Sequence, residues 1–182
     1  ADVGTLGVSL ATMVANLSAH KRGWDSRWEE FSEWAEKGQK HLNELLHLVD
    51  EDTAAFNKIM DAFQLPKGTS EEQAARTRAI TDATTYAIEV PLRVMKVCYE
   101  SMDVIHAMAA KGNPNSITDA GVGALCARTG VMGAFMNVKI NCAEHPDKAY
   151  VKKILEEGRS IQAAAMTKED EVRKLVEEKI GV

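Results

Sequence analysis

The sequence predicts an all-α fold, a bundle of about five long helices. Apolar residues make up 45% of the 182 residues and recur at helical spacing, whereas no stretch alternates apolar and polar residues as a strand does. Only four prolines occur, and three of them stand in short polar clusters between helix-compatible stretches. Because a domain takes roughly 150 residues, the length predicts one helical domain over residues 1–182.

The first two helices are predicted from the spacing of small and apolar residues. From Asp2 to about Ser18 the chain is apolar, with glycine and alanine on one face, a pattern that lets another backbone approach closely. From Trp24 to Phe63 the apolar positions keep a heptad rhythm, which predicts one long helix with a packed seam. One set of positions holds Trp28, Ala35, Leu42, Val49, Phe56 and Phe63, and the other holds Phe31, Leu45 and Ile59.

The third helix follows a polar turn. Ser70 and Gln73 form a predicted capping box, and the helical pattern then runs to about Lys111. Pro91 lies inside this stretch and lacks the N–H that would bond the preceding turn. Because helical periodicity resumes after Pro91, the sequence predicts a kink there and not a break.

Two more helices complete the bundle. Ser116 and Asp119 can cap a fourth helix over about 116–143, after a Gly-Asn-Pro-Asn turn. Pro146 suits the first turn of a final helix over about 147–180, whose many lysines and glutamates predict a largely solvent-facing surface.

Charge and cysteine content narrow the classes of function. The formal charge is −5, from 22 basic and 27 acidic residues, so no basic field favours nucleic acid or an anionic membrane. No apolar run reaches the ~20 residues of a membrane helix, and no signal-peptide pattern is present. Cys98, Cys126 and Cys142 form no C-x-x-C pair, which indicates reduced thiols and predicts a cytoplasmic protein.

One acidic residue breaks the apolar seam of the long helix. The heptad set that contains Phe31 and Leu45 also contains Asp52, which predicts a core-facing carboxylate. Burying an unpaired charge costs several kcal/mol, so this side chain must be paired, face a hydrated pocket or hold a proton. A structural partner such as an arginine or asparagine on a facing helix and a functional role both remain open.

The fourth helix carries glycines and amides on one face. Gly130, Gly133, Asn137 and Asn141 fall within roughly 80° of one another at about 100° per residue. The amides could bond the backbone or side chains of a facing helix. Alternatively, the glycines could admit a flat ligand whose donors and acceptors the amides bind.

Two acid-x-x-His pairs have the spacing of di-iron helical bundles. They are Glu44 with His47 and Asp103 with His106, and all four point away from the predicted core. The sequence therefore predicts no metal site. Motifs of zinc peptidases, serine hydrolases and P-loop proteins are absent from the sequence as well.

Several blocks of this sequence resemble the cyclodeaminase domain of the formiminotransferase-cyclodeaminase family. The blocks are Met13-Val14-Ala15-Asn16-Leu17, Leu48-Val49-Asp50-Glu51-Asp52 with Ala55-Phe56, Leu65-Pro66-Lys67, Val90-Pro91-Leu92, and Gly133-Ala134-Phe135-Met136-Asn137-Val138-Lys139-Ile140-Asn141. They occur in the family's order and spacing and cover essentially the whole chain. The family also has a G-G-S-V-A-like segment ahead of its first helix, and this chain begins at or after its end. The resemblance thus implies a truncated N-terminus or a site described only in part.

The resemblance implies a function and a set of site residues. It implies a helical homodimer that converts 5-formimidoyltetrahydrofolate to 5,10-methenyltetrahydrofolate and ammonia, in histidine degradation and one-carbon metabolism. Asp52 would be the catalytic acid and base, Asn137 and Asn141 would orient the pterin, and Asp119 would line the polar rim. The ligand would be a reduced folate, with or without a polyglutamate tail, and neither a metal nor a further cofactor is expected.

Two other functions stay open at this point. Related proteins of the family act as methenyltetrahydrofolate cyclohydrolases, which open the cyclised product with water, and the residues do not separate the two activities. A non-catalytic helical dimer is the alternative from another class. In that case Asp52 would be a polar residue that sets the register of helix pairing.

Overall fold

The computed structural model describes residues 1–181, and within this range the chain forms five α-helices and no strand. The helices are α1 (Asp2–Ala19), α2 (Trp28–Gln64), α3 (Ser70–Lys111), α4 (Ile117–Cys142) and α5 (Lys148–Ile180). Short 3₁₀ turns at Asp25–Arg27 and Pro114–Ser116 precede α2 and α4. The predicted all-α fold class is confirmed, and α3 continues through Pro91 without interruption. None of the helices of residues 1–181 combines the length and apolar character needed to cross a membrane.

Helix starts differ from the prediction by a few residues, each for a local reason. The residues after Trp24 form the 3₁₀ turn, so α2 begins at Trp28. The box that caps α3 lies one residue earlier than predicted: the Glu72 N–H donates to Thr69 Oγ1 at 3.2 Å, and the Thr69 N–H donates to Glu72 Oε2 at 3.0 Å. Threonine and serine can both accept this bond, so a Thr-Ser pair leaves the capping position ambiguous in sequence.

The starts of α4 and α5 also correct the sequence analysis. Ser116 is the N-cap residue of α4, but its side chain makes no capping hydrogen bond. In α5 the cap is Asp147, whose Oδ1 accepts from the N–H groups of Ala149 and Tyr150 at 3.0 and 2.9 Å. Pro146 therefore precedes the cap and does not lie in the first turn.

Glycine contacts bring α1 close to α4. A Cβ on Gly7 would lie 2.7 Å from the carbonyl oxygen of Gly123, and one on Gly130 would lie 3.3 Å from Cα of Gly4. Because the contact moves from Gly130 to Gly123 as α1 advances from Gly4 to Gly7, the two helices run antiparallel. Only glycine permits this separation, so the small-residue face predicted for α1 is a helix contact.

In the second half of α2, residues of the predicted packed seam are exposed. Leu45 and Leu48 are buried, but Phe56 is 62% exposed and Phe63 is 51% exposed. The reason is that α2 packs mainly against α1 and α3, and α1 begins close to Leu45. Beyond Ala55 the only buried residue of α2 is Ala62, so heptad positions that would face a third helix face solvent.

Helix α5 is anchored to α4 by one close packing contact and one buried ion pair. A Cβ on Gly158 would lie 2.3 Å from Cε2 of Phe135, so the Phe135 ring occupies the space of a side chain there. Glu169 is 2% exposed and accepts a 2.6 Å hydrogen bond from Arg128 of α4. The largely solvent-facing helix thus has a specific inner face.

Candidate active site

A cavity of about 430 Å³ opens where the first turn of α1 meets α2, α3 and α4. Its walls include Asp2 of α1, Leu48 and Asp52 of α2, Pro91 of α3, and Gly133 and Asn137 of α4. Polar groups thus alternate with apolar ones, as in pockets that bind small organic ligands. The volume falls within the range of about 300–1,000 Å³ that such pockets have.

Asp52 lies on the α2 wall of this cavity. Its side chain is exposed and not buried in the core, which corrects the heptad-based prediction. It stands one helical turn after buried Leu48, and the drift of a 3.6-residue helix against a seven-residue repeat carries it off the buried face. Of the three possibilities that its sequence position left open, the structure favours a carboxylate that faces a solvent-accessible pocket.

The neighbouring acid, Glu51, has a different environment. It accepts a hydrogen bond from the hydroxyl of Tyr86 and lies 3.6 Å from Nε2 of His47. Glu51 is half-buried at the contact between α2 and α3, and it does not line the cavity. Asp52 is therefore the acid of the 50–52 run that can reach a ligand there.

The α4 wall brings together three of the four residues that share its predicted face. Gly130, Gly133 and Asn137 line the cavity opposite Asp52. A Cβ on Gly130 would lie 2.9 Å from Sγ of Cys98, so that glycine is required by helix packing. A Cβ on Gly133 would meet nothing within 4 Å, so that glycine leaves the wall open. The two glycines thus have different roles, one structural and one at the cavity surface.

Asn141 and Asp119 are not brought into the cavity. The side-chain nitrogen of Asn141 donates to the carbonyl oxygen of Ala87 at 2.6 Å. Asp119 lies in the first turn of α4 and Asn137 near its end, about 27 Å apart along the axis at about 1.5 Å per residue. Of the residues that the resemblance singled out, the structure therefore brings Asp52 and Asn137 together.

Sequence reasoning missed three polar residues of the cavity. Asp2, Thr53 and Thr129 line it alongside Asp52 and Asn137. The available signal for Asp2 was an acid in the first turn of an otherwise uncharged helix. An acid at this position is expected simply from its favourable interaction with the helix dipole. Its place in the cavity follows only from the contact between α1 and α4.

The thiol beneath the cavity is not a nucleophile. Cys98 is buried between Gly4 and Gly130, and burial raises the pKa of its thiol to about 12. A cysteine attacks as the thiolate, and at neutral pH this one stays protonated. The titratable side chains that line the cavity are its two carboxylates, Asp2 and Asp52.

The acids of the two acid-x-x-His pairs form surface ion pairs. Glu44 pairs with Arg93, and Asp103 pairs with Lys168 and, at 3.8 Å, with Lys37. Within residues 1–181 no group of three or more histidines, cysteines or acids is arranged to hold a metal ion.

These features define the class as an all-α bundle protein with a carboxylate-lined ligand cavity between four helices. A sequence profile of the family described as formiminotransferase-cyclodeaminase matches residues 1–160. The chain belongs to this family, and the resemblance noted in its sequence is confirmed.

Named relatives fall into two kinds. The methenyltetrahydrofolate cyclohydrolase of Methylorubrum extorquens is 34% identical over 178 residues, which is 98% of this chain and 86% of the relative. The formimidoyltransferase-cyclodeaminase of Rattus norvegicus is 31% identical over 181 residues, covering 96% of this chain. This chain spans only 33% of the rat protein's length.

A solved structure shares the fold. The crystal structure of formiminotetrahydrofolate cyclodeaminase from Thermotoga maritima superposes with a TM-score of 0.84 at 26% identity. The match covers 98% of this chain and 85% of that one. The five-helix arrangement is therefore that of the family.

Proposed function

We propose that this protein transforms a one-carbon derivative of tetrahydrofolate, and that Asp52 transfers the proton in the reaction. The observation that supports this proposal is the position of Asp52 on the wall of a ligand-sized cavity, opposite Asn137, in a chain of this family. A carboxylate held at a cavity surface can act first as a base and then as an acid. Asn137 carries both a donor and an acceptor, which suits it to orient the pterin.

The first candidate reaction is the cyclodeaminase reaction. In 5-formimidoyltetrahydrofolate with a protonated formimidoyl group, N10 attacks the formimidoyl carbon and forms a new C–N bond. Asp52 would accept the N10 proton and pass it to the departing nitrogen, and the carbon–nitrogen bond would then break. The products are ammonia and the cationic 5,10-methenyltetrahydrofolate, so the charge balances and the carboxylate is regenerated. With this reaction the protein would act in histidine degradation, as the family resemblance of the sequence implies.

The second candidate is the cyclohydrolase reaction. It is favoured by the similarity to the Methylorubrum extorquens protein over 86% of that protein's length. Water would add to the bridging carbon of 5,10-methenyltetrahydrofolate while Asp52 accepts a proton from it. Breaking the bond to N5, which takes up a proton, gives 10-formyltetrahydrofolate and releases one proton overall. The same cavity and the same carboxylate serve both reactions.

We also propose that the protein is a homodimer. The outer sides of α1 and α4 border the contact between these helices, and each carries a stripe of exposed large apolar side chains. The stripes consist of Val3, Leu6, Met13 and Leu17 on α1 and of Val122, Leu125, Met136 and Ile140 on α4. Large exposed apolar patches are uncommon on monomers, so these two stripes support burial against a second copy. Val3 also lines the cavity, so this apolar face adjoins the cavity mouth.

Product analysis tests the proposal and separates the candidates. The purified protein is incubated separately with 5-formimidoyltetrahydrofolate and with 5,10-methenyltetrahydrofolate, and ammonia and 10-formyltetrahydrofolate are quantified. Ammonia release assigns the cyclodeaminase, and 10-formyltetrahydrofolate above the uncatalysed rate assigns the cyclohydrolase. If neither forms and saturating tetrahydrofolate leaves the melting temperature unchanged, the proposal is wrong and a non-catalytic helical dimer is favoured.

A further inference from the structure

The cavity contains two carboxylates on different walls. Asp52 extends from the middle of α2, and Asp2 extends from the first turn of α1. Much of the remaining lining is apolar or small, including Leu48, Val94 and Ala134. The proposed reaction needs one carboxylate for proton transfer, and Asp52 supplies it. Asp2 therefore has no role in that reaction as proposed so far.

The first turn of α1 is held firmly against its neighbours. A Cβ on Gly4 would lie 2.3 Å from Sγ of Cys98 and 3.5 Å from Cδ1 of Leu45. A Cβ on Gly130 would lie 3.3 Å from both the backbone nitrogen and Cα of Gly4. Asp2 lies two residues before this contact, which places it beside the α4 wall of the cavity.

The chemistry of a pterin complements a second carboxylate. Its 2-amino-4-oxopyrimidine ring presents N3–H and the 2-amino group side by side, and these two donors match the two oxygens of one carboxylate. A bidentate, charge-assisted pair of this kind is stronger than hydrogen bonds between neutral groups. Asp52 cannot hold this edge while it exchanges a proton at the one-carbon group, because the two parts of the ligand are far apart.

From this arrangement we infer that Asp2 is a specificity-determining residue that binds the amino-pyrimidinone edge of the folate. The inference rests on the proposed function and adds a residue to it. In this arrangement Asp2 of α1 recognises the pterin, and Asp52 of α2 transfers the proton. Removing the Asp2 charge then weakens binding of reduced folates, while turnover at saturating substrate stays close to that of the wild type.

Binding of two probes to the intact protein tests the inference. The probes are 5-formyltetrahydrofolate and its 2-desamino-2-methyl analogue, which lacks one of the two donors, and titration calorimetry measures each Kd. The wild type should bind the parent compound about 10- to 100-fold more tightly than the analogue, the range expected for a charged hydrogen bond. Asp2→Asn should weaken the parent by a similar factor and remove most of the preference. Asp25→Asn, an exposed acid that also lies in a first helical turn, is the matched control and should bind as the wild type does.

Kinetics separate this role from a purely structural one. Asp2→Asn should raise KM and leave kcat within a few-fold, because the residue holds the substrate and takes no part in proton transfer. If Asp2→Asn only lowers the melting temperature and binds both probes like the wild type, Asp2 merely stabilises the helix terminus and the inference is wrong. A wild type that binds the two probes equally would also overturn it, and this comparison needs no variant. A wild type that binds 5-formyltetrahydrofolate yet turns over neither substrate would instead count against the proposed function.

Discussion

Asn141 of α4 donates a 2.6 Å hydrogen bond from its side-chain nitrogen to the carbonyl oxygen of Ala87 in α3. In an uninterrupted helix this carbonyl would accept from the N–H four residues later. That residue is Pro91, which has no N–H to donate. Asn141 therefore supplies, from a neighbouring helix, the hydrogen-bond donor that Pro91 lacks. The two residues form one structural unit at the edge of the cavity.

This relationship predicts a coupling between Asn141 and Pro91 in stability. Asn141→Ala should lower the free energy of unfolding by about 1–3 kcal/mol, because it leaves the Ala87 carbonyl without a donor. In a Pro91→Ala background the backbone N–H of residue 91 can take over, and the same change should cost less than about 0.5 kcal/mol. Denaturant unfolding of the wild type, both single variants and the double variant measures the cycle. Equal costs in the two backgrounds would show that Asn141 and Pro91 act independently.

Asp52 is expected to control turnover and not folding. Asp52→Asn preserves the shape but removes the proton acceptor, so kcat should fall by about 10²- to 10⁴-fold. The melting temperature should stay near that of the wild type because the side chain is exposed. Asp61→Asn on the same helix, exposed and outside this cavity, is the control. Turnover by Asp52→Asn at the wild-type rate would eliminate the proposed role.

The buried thiol of Cys98 predicts a loss of stability in alkali. Burial raises the pKa of Cys98 to about 12, whereas the ordinary value is 9.0, so the unfolded chain loses this proton before the folded one does. The contribution of Cys98 to the free energy of unfolding is fully present well below pH 9 and is lost as the pH rises towards 12. Between pH 9 and pH 10 the loss is about 1 kcal/mol. Denaturant titrations at these two pH values measure the decline. Cys98→Ala should make the decline shallower, whereas Cys126→Ala should not, and a slope unaffected by Cys98→Ala would contradict the assignment.

The apolar face of α1 and α4 predicts where a charge prevents dimer formation. Leu125 and Leu46 are both 49% exposed, but only Leu125 belongs to that face. Leu125→Glu should convert a dimer to a monomer because it would bury an unpaired carboxylate at the interface. Leu46→Glu should leave the dimer intact. Sedimentation velocity distinguishes these outcomes, and a wild type that sediments as a monomer would contradict the proposed assembly.

Local signals allowed most of the fold to be predicted from sequence. Polar turns and proline positions give the number of helices, and the glycine pattern of α1 predicts the close contact that Gly7 and Gly123 make. The environment of α2 was predicted less well. A seven-residue repeat predicts a buried face along the whole helix, but whether Phe56 is covered depends on where α1 begins, which is a tertiary property.

The candidate site was predicted only in part for a similar reason. Asp52 and Asn137 stand out by their chemistry against apolar neighbours, and each lies on a helix that forms a wall. Asn141 shares the glycine face equally well in sequence, and only the contact with α3 shows that its amide is occupied. A proline in a helix does indicate that the carbonyl four residues earlier needs an outside donor, so this partner could have been sought.

The uneven packing of α2 and α3 has a consequence for motion. Between Ala55 and Ala83 the buried side chains are alanines, and each helix there has the other as its main support. Segments with few buried apolar contacts open at lower free energy than the core, so amide protons in this helical hairpin should exchange with solvent first. Asp52 lies three residues before the hairpin, at its junction with the densely packed bundle. The α2 wall of the cavity therefore adjoins the part of the bundle with the fewest buried apolar side chains, whereas Gly130 and Ala134 on the α4 wall are buried.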